Sequence, residues 1–284
     1  MVPARTALVT GASGFVGRAT TVALERAGWS VVRGSRSSRR SDTATVKVDL
    51  ARPETLFVLA NEMRADAIVH LGAMVDFADD AGARLFAPNV LSTGCVARLG
   101  AQWEAPIVFA STATVHGIAT TAIRQDSPVV PDAPYAKSKW LAEELIAAAG
   151  VEHCVLRIGG VFGPEGPAHL GVNRAISDAR NGQSPTIVGS GAALRNYVYV
   201  GDVASAIVFA LEGGLRGTHL LAGDDVLPIA DMLREICDVF LPGHGPLTAD
   251  GPEAQNQVII PSPRLPKTHT WREALVDIRD GSRK

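Results

Sequence analysis

The stretch that most limits what this chain can fold into lies close to its amino terminus. Thr6-Ala7-Leu8-Val9-Thr10 is a short apolar run of the kind a buried strand uses, and it leads directly into Gly11-Ala12-Ser13-Gly14-Phe15-Val16-Gly17. A helical pattern follows from Arg18 to Ala27 and stops at Gly28. Glycines between a strand and a helix permit a tight turn, close approach of a pyrophosphate to the backbone, and tight packing of helix on strand. The helix N-terminus then presents unpaired N–H groups and the positive end of its dipole to phosphate. A glycine turn that holds no ligand is the alternative, and the strand before and helix after are what argue against it. Gly11, Ser13, Gly14, Phe15, Val16 and Gly17 are therefore candidate contacts to a dinucleotide.

The next segments extend the pattern. Ser30-Val31-Val32 reads as a second strand, followed by the basic run Arg33-Gly34-Ser35-Arg36-Ser37-Ser38-Arg39-Arg40. A dinucleotide site usually has an acid near this point, to hold the adenosine ribose hydroxyls. None is present here. Ser35 and Arg36 instead suit a 2′-phosphate, which arginine binds by paired, charge-assisted hydrogen bonds. The expected cofactor is NADP(H), with NAD(H) second; a solvated basic loop is the other reading. Val46-Lys47-Val48-Asp49-Leu50 is a third strand. Asp49 is a candidate for the adenine amino group and Leu50 for the adenine ring, or Asp49 is only a turn cap. Asp66 to Ala73 is a fourth strand closing on Leu71, Gly72 and Ala73, small enough there to leave room for a cofactor. His70 is expected to bond locally, and Asn89 to be structural. Ile107 to Ala110 is a fifth strand that delivers Ser111, Thr112, Ala113 and Thr114 to its carboxyl end, where open α/β sheets bind ligands. Strands and helices alternate through the first 160 residues, so the expected fold class is α/β: a doubly wound parallel sheet with right-handed crossovers.

Pro134-Tyr135-Ala136-Lys137-Ser138-Lys139 spaces a phenol and an ammonium four residues apart, on one face of a helix. A fixed positive charge favours the phenolate, so the Tyr135 pKa is expected to fall from its reference of about 10. Tyr135 is then a candidate general acid or base for an alcohol–ketone pair. The spacing alone is commonly a solvated helix face; the upstream glycine loop and the hydroxyls of Ser111 and Thr112 give it meaning.

Composition removes other classes. The chain has 284 residues, 46% hydrophobic and 20% charged, with a net charge of −2. That near-neutral balance argues against nucleic acid as the partner. No apolar run reaches the roughly 18 residues of a membrane span. The N-terminus runs straight into the first strand, so no signal peptide is expected. Cys95, Cys154 and Cys237 form no CxxC and are odd in number, which suits reduced thiols and a cytoplasmic location. The seven histidines show no ligand spacing, so no metal is expected.

Taken together, Gly11-x-x-Gly14-x-x-Gly17, Asp49-Leu50, His70-Leu71-Gly72-Ala73, Ser111 to Gly117 and Tyr135-x-x-x-Lys139 resemble the extended short-chain dehydrogenase/reductases, in their nucleotide-sugar epimerase, dehydratase and reductase branch. Leu156 to Pro164, Gly189-Ser190-Gly191 and Arg195 to Ala204 extend the likeness, which runs from about residue 6 to 235. The resemblance implies a Rossmann-type fold and a set of roles. Thr112 matches the catalytic hydroxyl, with Ser111 beside it, and Tyr135 the acid or base. Lys139 matches the residue that holds the nicotinamide ribose and lowers the tyrosine pKa. Arg195 matches an arginine that holds the diphosphate of a sugar nucleotide, and Asp202 an acid at a strand-to-helix junction, where a capping role fits. It also implies a possible homodimer through sheet-flanking helices. Departures narrow the activity. Dehydratases of this branch carry Asp-Glu after the catalytic threonine; Ala113 and Thr114 stand there, which argues against dehydration. His116 stands where tyrosine is usual, and Gly160 where a substrate-binding asparagine is common.

Residues 165–194 and 214–284 are less periodic and are expected to form a smaller C-terminal substrate lobe, with 1–164 as the dinucleotide-binding domain and 195–213 returning to it. Within the lobe, Asn173 to Asn181 reads as a helix. Ile229, Met232, Leu233, Ile236 and Phe240 form a helical core stripe. Pro242 to Pro252 reads as a loop, and Thr270 as the cap of a last helix, Trp271 to Ile278. The expected substrate pocket lies at the lobe junction. The expected activity is reduction of a keto group by NADPH, with a nucleoside-diphosphate 4-keto-6-deoxysugar as substrate. Nucleotide-sugar epimerisation and reduction or oxidation of a small non-nucleotide carbonyl compound or alcohol are the alternatives, with a dinucleotide sensor as the non-enzyme reading.

Overall fold

The structure is a computed structural model describing residues 4–36 and 44–281. Ser37, Ser38, Arg39 and Arg40 of the basic run lie outside the described residues. In chain order the elements begin with β1 (Thr6–Thr10), α1 (Phe15–Arg26), β2 (Ser30–Ser35), β3 (Thr45–Lys47), α2 (Thr55–Glu62), β4 (Ala67–His70) and α3 (Gly82–Leu85). A π-helical stretch, Phe86–Leu91, joins α3 to α4 (Ser92–Trp103). β5 (Ile107–Thr112), a 3-10 turn (Ala113–His116), β6 (Ala122–Ile123), α5 (Pro134–Ala148), β7 (His153–Ile158) and β8 (Val161–Phe162) come next. The remainder is α6 (Gly171–Arg180), β9 (Thr186–Val188), β10 (Leu194–Arg195), β11 (Val198–Tyr199), α7 (Val200–Glu212), β12 (Gly217–Leu221), β13 (Leu227–Pro228), α8 (Ile229–Phe240), β14 (Leu247–Ala249), β15 (Val258–Ile259) and α9 (Trp271–Gly281).

Seven strands form one sheet in the order β12-β7-β5-β4-β1-β2-β3. β1 pairs parallel with both β2 and β4, β2 with β3, and β4 with β5. The central strands are apolar on both faces, with Ala7, Leu8, Val9, Ala67, Ile68 and Val69 all fully buried, as a parallel sheet covered by helices on both sides requires. This is the expected doubly wound class. The order reverses at β1, which puts β2 and β4 on its two sides. Crevices at the carboxyl ends of strands beside such a reversal are where this architecture binds ligands.

The chain divides into two compact units. The first comprises Met1–Ile118, Pro128–Arg157 and Val203–His219; the second comprises Ala119–Ser127, Ile158–Asp202 and Leu220–Lys284. The core of the first gathers Leu8, Ile68, Val96, Ile107, Phe109 and Ile146. Two of its helical segments have local causes. Pro134 opens α5 at a first-turn position, where its missing N–H costs nothing. Pro88 lies inside the π-helical stretch, where its missing N–H breaks the regular α-helical ladder. The buried face of α5 is unusual: beside Ala136, Ala142 and Ile146 it carries two charged residues, Lys139 and Glu143.

The second unit packs α6, α8 and α9 around Phe162 and Trp271, whose ring centroids are 4.6 Å apart. The α8 stripe is the expected one, with Met232, Leu233 and Ile236 buried. Thr270 and Glu273 exchange hydrogen bonds across the first turn of α9: Thr270 N–H donates to Glu273 Oε2 (2.9 Å) and Glu273 N–H to Thr270 Oγ1 (3.3 Å), a capping box. The expected loop Pro242 to Pro252 is corrected in part, because Leu247–Ala249 pairs parallel with β9. All three residues are exposed, so the strand rests on backbone pairing and carries no hydrophobic alternation to betray it.

Candidate active site

A cavity of about 460 Å³ opens at the carboxyl ends of β1 to β4. Its wall includes Gly11, Ser13 and Gly14 from the glycine loop, and Ser35 and Arg36 from the end of β2. Asp49 and Leu50 follow β3, and Leu71, Gly72 and Ala73 follow β4, completing that wall. Phe15, Val16 and Gly17 instead build the first turn of α1. Two glycines are sterically required. Gly11 has φ +70, and a Cβ there would lie 2.6 Å from Gly72 Cα; a Cβ on Gly17 would run into the Gly11 carbonyl oxygen. The loop therefore folds back on itself at van der Waals limits, and helix α1 starts with no side-chain cap and no acidic residue in its first turn. Its N–H groups and dipole are left to an anion. Glycines without Cβ, an uncapped helix start and a cavity lined from four strand ends fit a dinucleotide.

The polar residues around this cavity sort by partner. Arg33 is drawn back to Glu25 of α1 at 2.5 Å, leaving Arg36 as the exposed arginine of the described run on the cavity wall. Asp49 accepts from Ala51 N–H at 3.1 Å and approaches Arg52 at 3.5 Å, a local turn bond made while it lines the cavity. His70 Nε2 is 3.0 Å from Thr93 Oγ1, whose own proton goes to the Asn89 carbonyl at 2.6 Å. The imidazole must then donate from Nε2 and accept the Thr10 hydroxyl at Nδ1, 2.6 Å away. Burial first, and Lys139 second, lower its pKa to about 3. His70 is a neutral structural clasp.

Tyr135 and Lys139 lie one turn apart on α5, which packs against β5 and the 3-10 turn after Thr112. The Lys139 ammonium is 4.0 Å from the centroid of the Phe109 ring on β5 and is almost fully buried. Burial lowers its pKa to about 7, with Glu143 pulling the other way. For Tyr135 the expected direction is reversed: burial pushes the phenol up to about 12. Helical spacing reports the neighbour and not the loss of water, and loss of water disfavours the phenolate. Tyr135 thus keeps its proton at neutral pH. The Phe77 ring meets it edge-on at 5.6 Å. Thr112 caps the 3-10 turn, accepting from Thr114 N–H at 3.2 Å and sharing a hydrogen bond with the Thr114 hydroxyl at 2.9 Å. Ser111, one residue earlier, points the other way and donates to Glu143.

Asn89, expected to be structural, bonds within the chain, whereas Phe77 and Glu143 are contributors that the sequence alone leaves aside. Asn89 uses Oδ1 to accept from Met74 N–H (2.8 Å), and Nδ2 to donate to Met74 O (2.9 Å) and to Ser138 Oγ (3.0 Å), so it ties the loop after β4 to α5. Glu143 had a signal: it continues the Tyr135, Lys139 spacing by one more turn.

In the second unit Arg195 lies on β10 and donates to the carbonyls of Leu194 (2.9 Å) and Gln255 (2.5 Å). Asp202 accepts the His269 N–H (3.0 Å) and Nδ1 (2.6 Å). A Cβ on Gly160 would come within 2.6 Å of the Tyr197 ring, so that tyrosine fills the place of a side chain at 160. A further cavity of about 520 Å³ is lined by Tyr197 together with Arg174, Asp178, Thr186 and Met232. Among the described residues no cluster of His, Cys, Asp and Glu is arranged to hold a metal, and no helix is long and apolar enough to cross a membrane.

Comparison with known proteins agrees with this geometry. The profile of the NAD dependent epimerase/dehydratase family matches residues 7–223. UDP-glucose 4-epimerase of Azospirillum brasilense is 29% identical over 240 residues, covering 74% of this chain and 69% of that protein. The crystal structure of UDP-N-acetylglucosamine 4-epimerase from Bacillus cereus superposes with a TM-score of 0.85 at 20% identity, covering 99% of this chain and 100% of the other. That of dTDP-4-dehydrorhamnose reductase from Bacillus anthracis in complex with NADP gives 0.83 at 16% identity, covering 99% of both chains. With its glycine turn, its Tyr135–Lys139 helix and a family match over most of its length, the chain is an enzyme of the NAD dependent epimerase/dehydratase family.

Proposed function

We propose that the protein is an NADPH-dependent ketoreductase whose substrate is a nucleoside-diphosphate 4-keto-6-deoxysugar. The observation that carries this reading is the end of β2: Gly34, Ser35 and Arg36 line the cavity there, with no carboxylate from that strand. A carboxylate would repel a 2′-phosphate, whereas Ser35 and Arg36 hold one. NADPH is the form used as a reductant, so this end of the cavity favours net reduction over a cycle that regenerates its cofactor. Bound in the cavity, the dinucleotide supplies the hydride. The chain supplies the rest. The Tyr135 phenol, protonated at neutral pH, gives its proton to the ketone oxygen as negative charge develops there. The Thr112 hydroxyl donates a hydrogen bond to the same oxygen, with Ser111 behind it. Lys139 orients the ribose. Positioned general acid catalysis of this kind contributes on the order of 10²–10⁴-fold. Arg195 is assigned to the diphosphate, and the cavity of about 520 Å³ in the second unit has room for a nucleoside. Ala113 and Thr114 bring no carboxylate for elimination, which sets dehydration aside.

The test is a thermal-shift screen with NADP⁺, NAD⁺ and nucleoside diphosphates, followed by NADPH consumption with a panel of keto sugars. A ligand that binds only the native state raises its melting temperature. The reading requires a larger shift with NADP⁺ than with NAD⁺ and NADPH oxidation that depends on a nucleotide sugar. Epimerisation is the second reading, favoured by the names of the relatives above. NAD carried tightly through purification, with sugar interconverted and no net NADPH consumed, would establish it instead.

A further inference from the structure

A chain of buried polar groups runs behind Thr112. Ser111 on β5 donates to Glu143 Oε1 on α5. Arg157 on β7 binds the same carboxylate with Nη2 at 2.7 Å from Oε2 and Nε at 3.2 Å from each oxygen. Its Nη1 is 3.2 Å from His116 Nε2, and His116 Nδ1 is 2.9 Å from the Pro128 carbonyl oxygen. The side chains of Glu143 and Arg157 are only 6% and 13% exposed.

Donor and acceptor rules fix the state of the imidazole. A carbonyl oxygen only accepts, so Nδ1 carries the proton; a guanidinium only donates, so Nε2 is bare. Only the neutral Nδ1–H tautomer satisfies both. The chain therefore grips a side chain on each side of Thr112, at Ser111 one residue before it and at His116 four residues after. Both grips lead to Glu143, on the helix that carries Tyr135 two turns earlier. A buried ion pair contributes little net stability compared with an apolar replacement, but its fixed fork and two flanking bonds set a geometry.

We propose that Glu143, Arg157 and neutral His116 are positioning residues that hold the Thr112 hydroxyl in register with the Tyr135 phenol. The inference rests on Thr112 and Tyr135 being the reacting pair. Glu143 also favours the charged form of Lys139 one turn away, consistent with a role at this site.

Two measurements on the full chain test it. The first is the imidazole nitrogen NMR spectrum at neutral pH, with His116 assigned by its loss in His116→Gln. A proton on Nδ1 and a bare Nε2 are expected; an Nε2–H tautomer or an imidazolium would overturn the arrangement. The second uses three variants in NADPH oxidation. His116→Asn keeps the donor toward Pro128 and removes the acceptor for Arg157; His116→Gln does the reverse. Glu143→Gln and His116→Asn should lower kcat by roughly 10- to 100-fold, the cost of a misplacement near 1 Å. KM and the NADPH dissociation constant should stay as in the wild type, and His116→Gln should recover most of the loss. Equal losses in Asn and Gln, unchanged kcat in Glu143→Gln, or a parallel loss of NADPH binding would each reject positioning; a lower melting temperature in Glu143→Gln is expected, because Arg157 is left buried without its carboxylate. If the wild-type protein reduces no carbonyl compound, the proposed function fails, and the Thr112 methyl resonance decides the positioning separately: Glu143→Gln must shift it, and an unmoved resonance rejects the idea.

Discussion

The two units handle charge in opposite ways. In the first, charged and titratable groups are taken inside: Lys139 against Phe109, Glu143 clasped by Arg157, His70 between two threonines. In the second, Asp202 is buried against His269, but other carboxylates sit at the surface and pin loops. Asp224 accepts from Thr268 N–H (3.0 Å) and its hydroxyl (3.2 Å), and Glu253 accepts from Ser190 N–H (2.8 Å) and its hydroxyl (2.6 Å). Buried charges are costly and are expected where geometry or chemistry uses them. Exposed pairs each contribute little and can be replaced singly. The proposed proton transfer falls in the unit that buries its charges, and the exposed pairs of the second are expected to be individually dispensable.

The contrast is sharpest at Tyr135. Tyr135→Phe should reduce turnover by about 10²- to 10⁴-fold, while the NADPH dissociation constant, measured by fluorescence titration, stays unchanged. Lys139 offers the next largest effect, in stability. Its pKa is lowered to about 7 in the folded chain, from about 10.4 when unfolded. Between these values the unfolded chain binds more protons than the folded one, so stability rises with pH across this window, and the penalty of burying the ammonium is full below about pH 7. Lys139→Met should therefore raise the melting temperature at pH 6 and by less as the pH approaches 10, as thermal melts will show. A wild-type chain whose deficit relative to Lys139→Met does not change with pH would mean that the ammonium is not desolvated.

Smaller effects test the margins. Arg36→Asp should shift the ratio of NADP⁺ to NAD⁺ affinity toward NAD⁺ by roughly 10- to 100-fold, the worth of a charge-assisted hydrogen bond and its loss to repulsion. The smallest change belongs to the second unit. Asp202 raises the pKa of His269, whose side chain is half exposed. A raised histidine stabilises fully below its unfolded pKa and loses that contribution as pH rises through the folded value. Asp202→Asn should accordingly lower the melting temperature more at pH 5.5 than at pH 9, by an amount limited by solvent screening.

Much of the first unit is legible in the sequence because its physics is local. Glycine spacing after Thr10, apolar runs on both faces of β1 and β4, and proline at the start of α5 each act within a few residues, so the parallel sheet follows from them. What escapes is long-range or solvent-dependent. Glu143 and Arg157 are 14 residues apart and meet across an element boundary. The Tyr135 pKa depends on burial, which a four-residue spacing does not report. The second unit holds strands of two residues, such as β10 and β11, too short for any periodicity, and an exposed β14 that only its pairing with β9 reveals. The substrate is not readable in this way: at Gly160 the Tyr197 ring takes the space of a side chain, and no local pattern announces that contact.

Isotope transfer tests the central claim most directly. NADPH deuterated at C4 of the nicotinamide is mixed with a nucleoside-diphosphate 4-keto-6-deoxysugar and the protein. A product carrying deuterium at the reduced carbon, formed by the wild type in step with NADPH loss and nearly absent with Tyr135→Phe, is the predicted result. Deuterium-free sugar with the NADPH intact, or equal transfer by Tyr135→Phe, would contradict it.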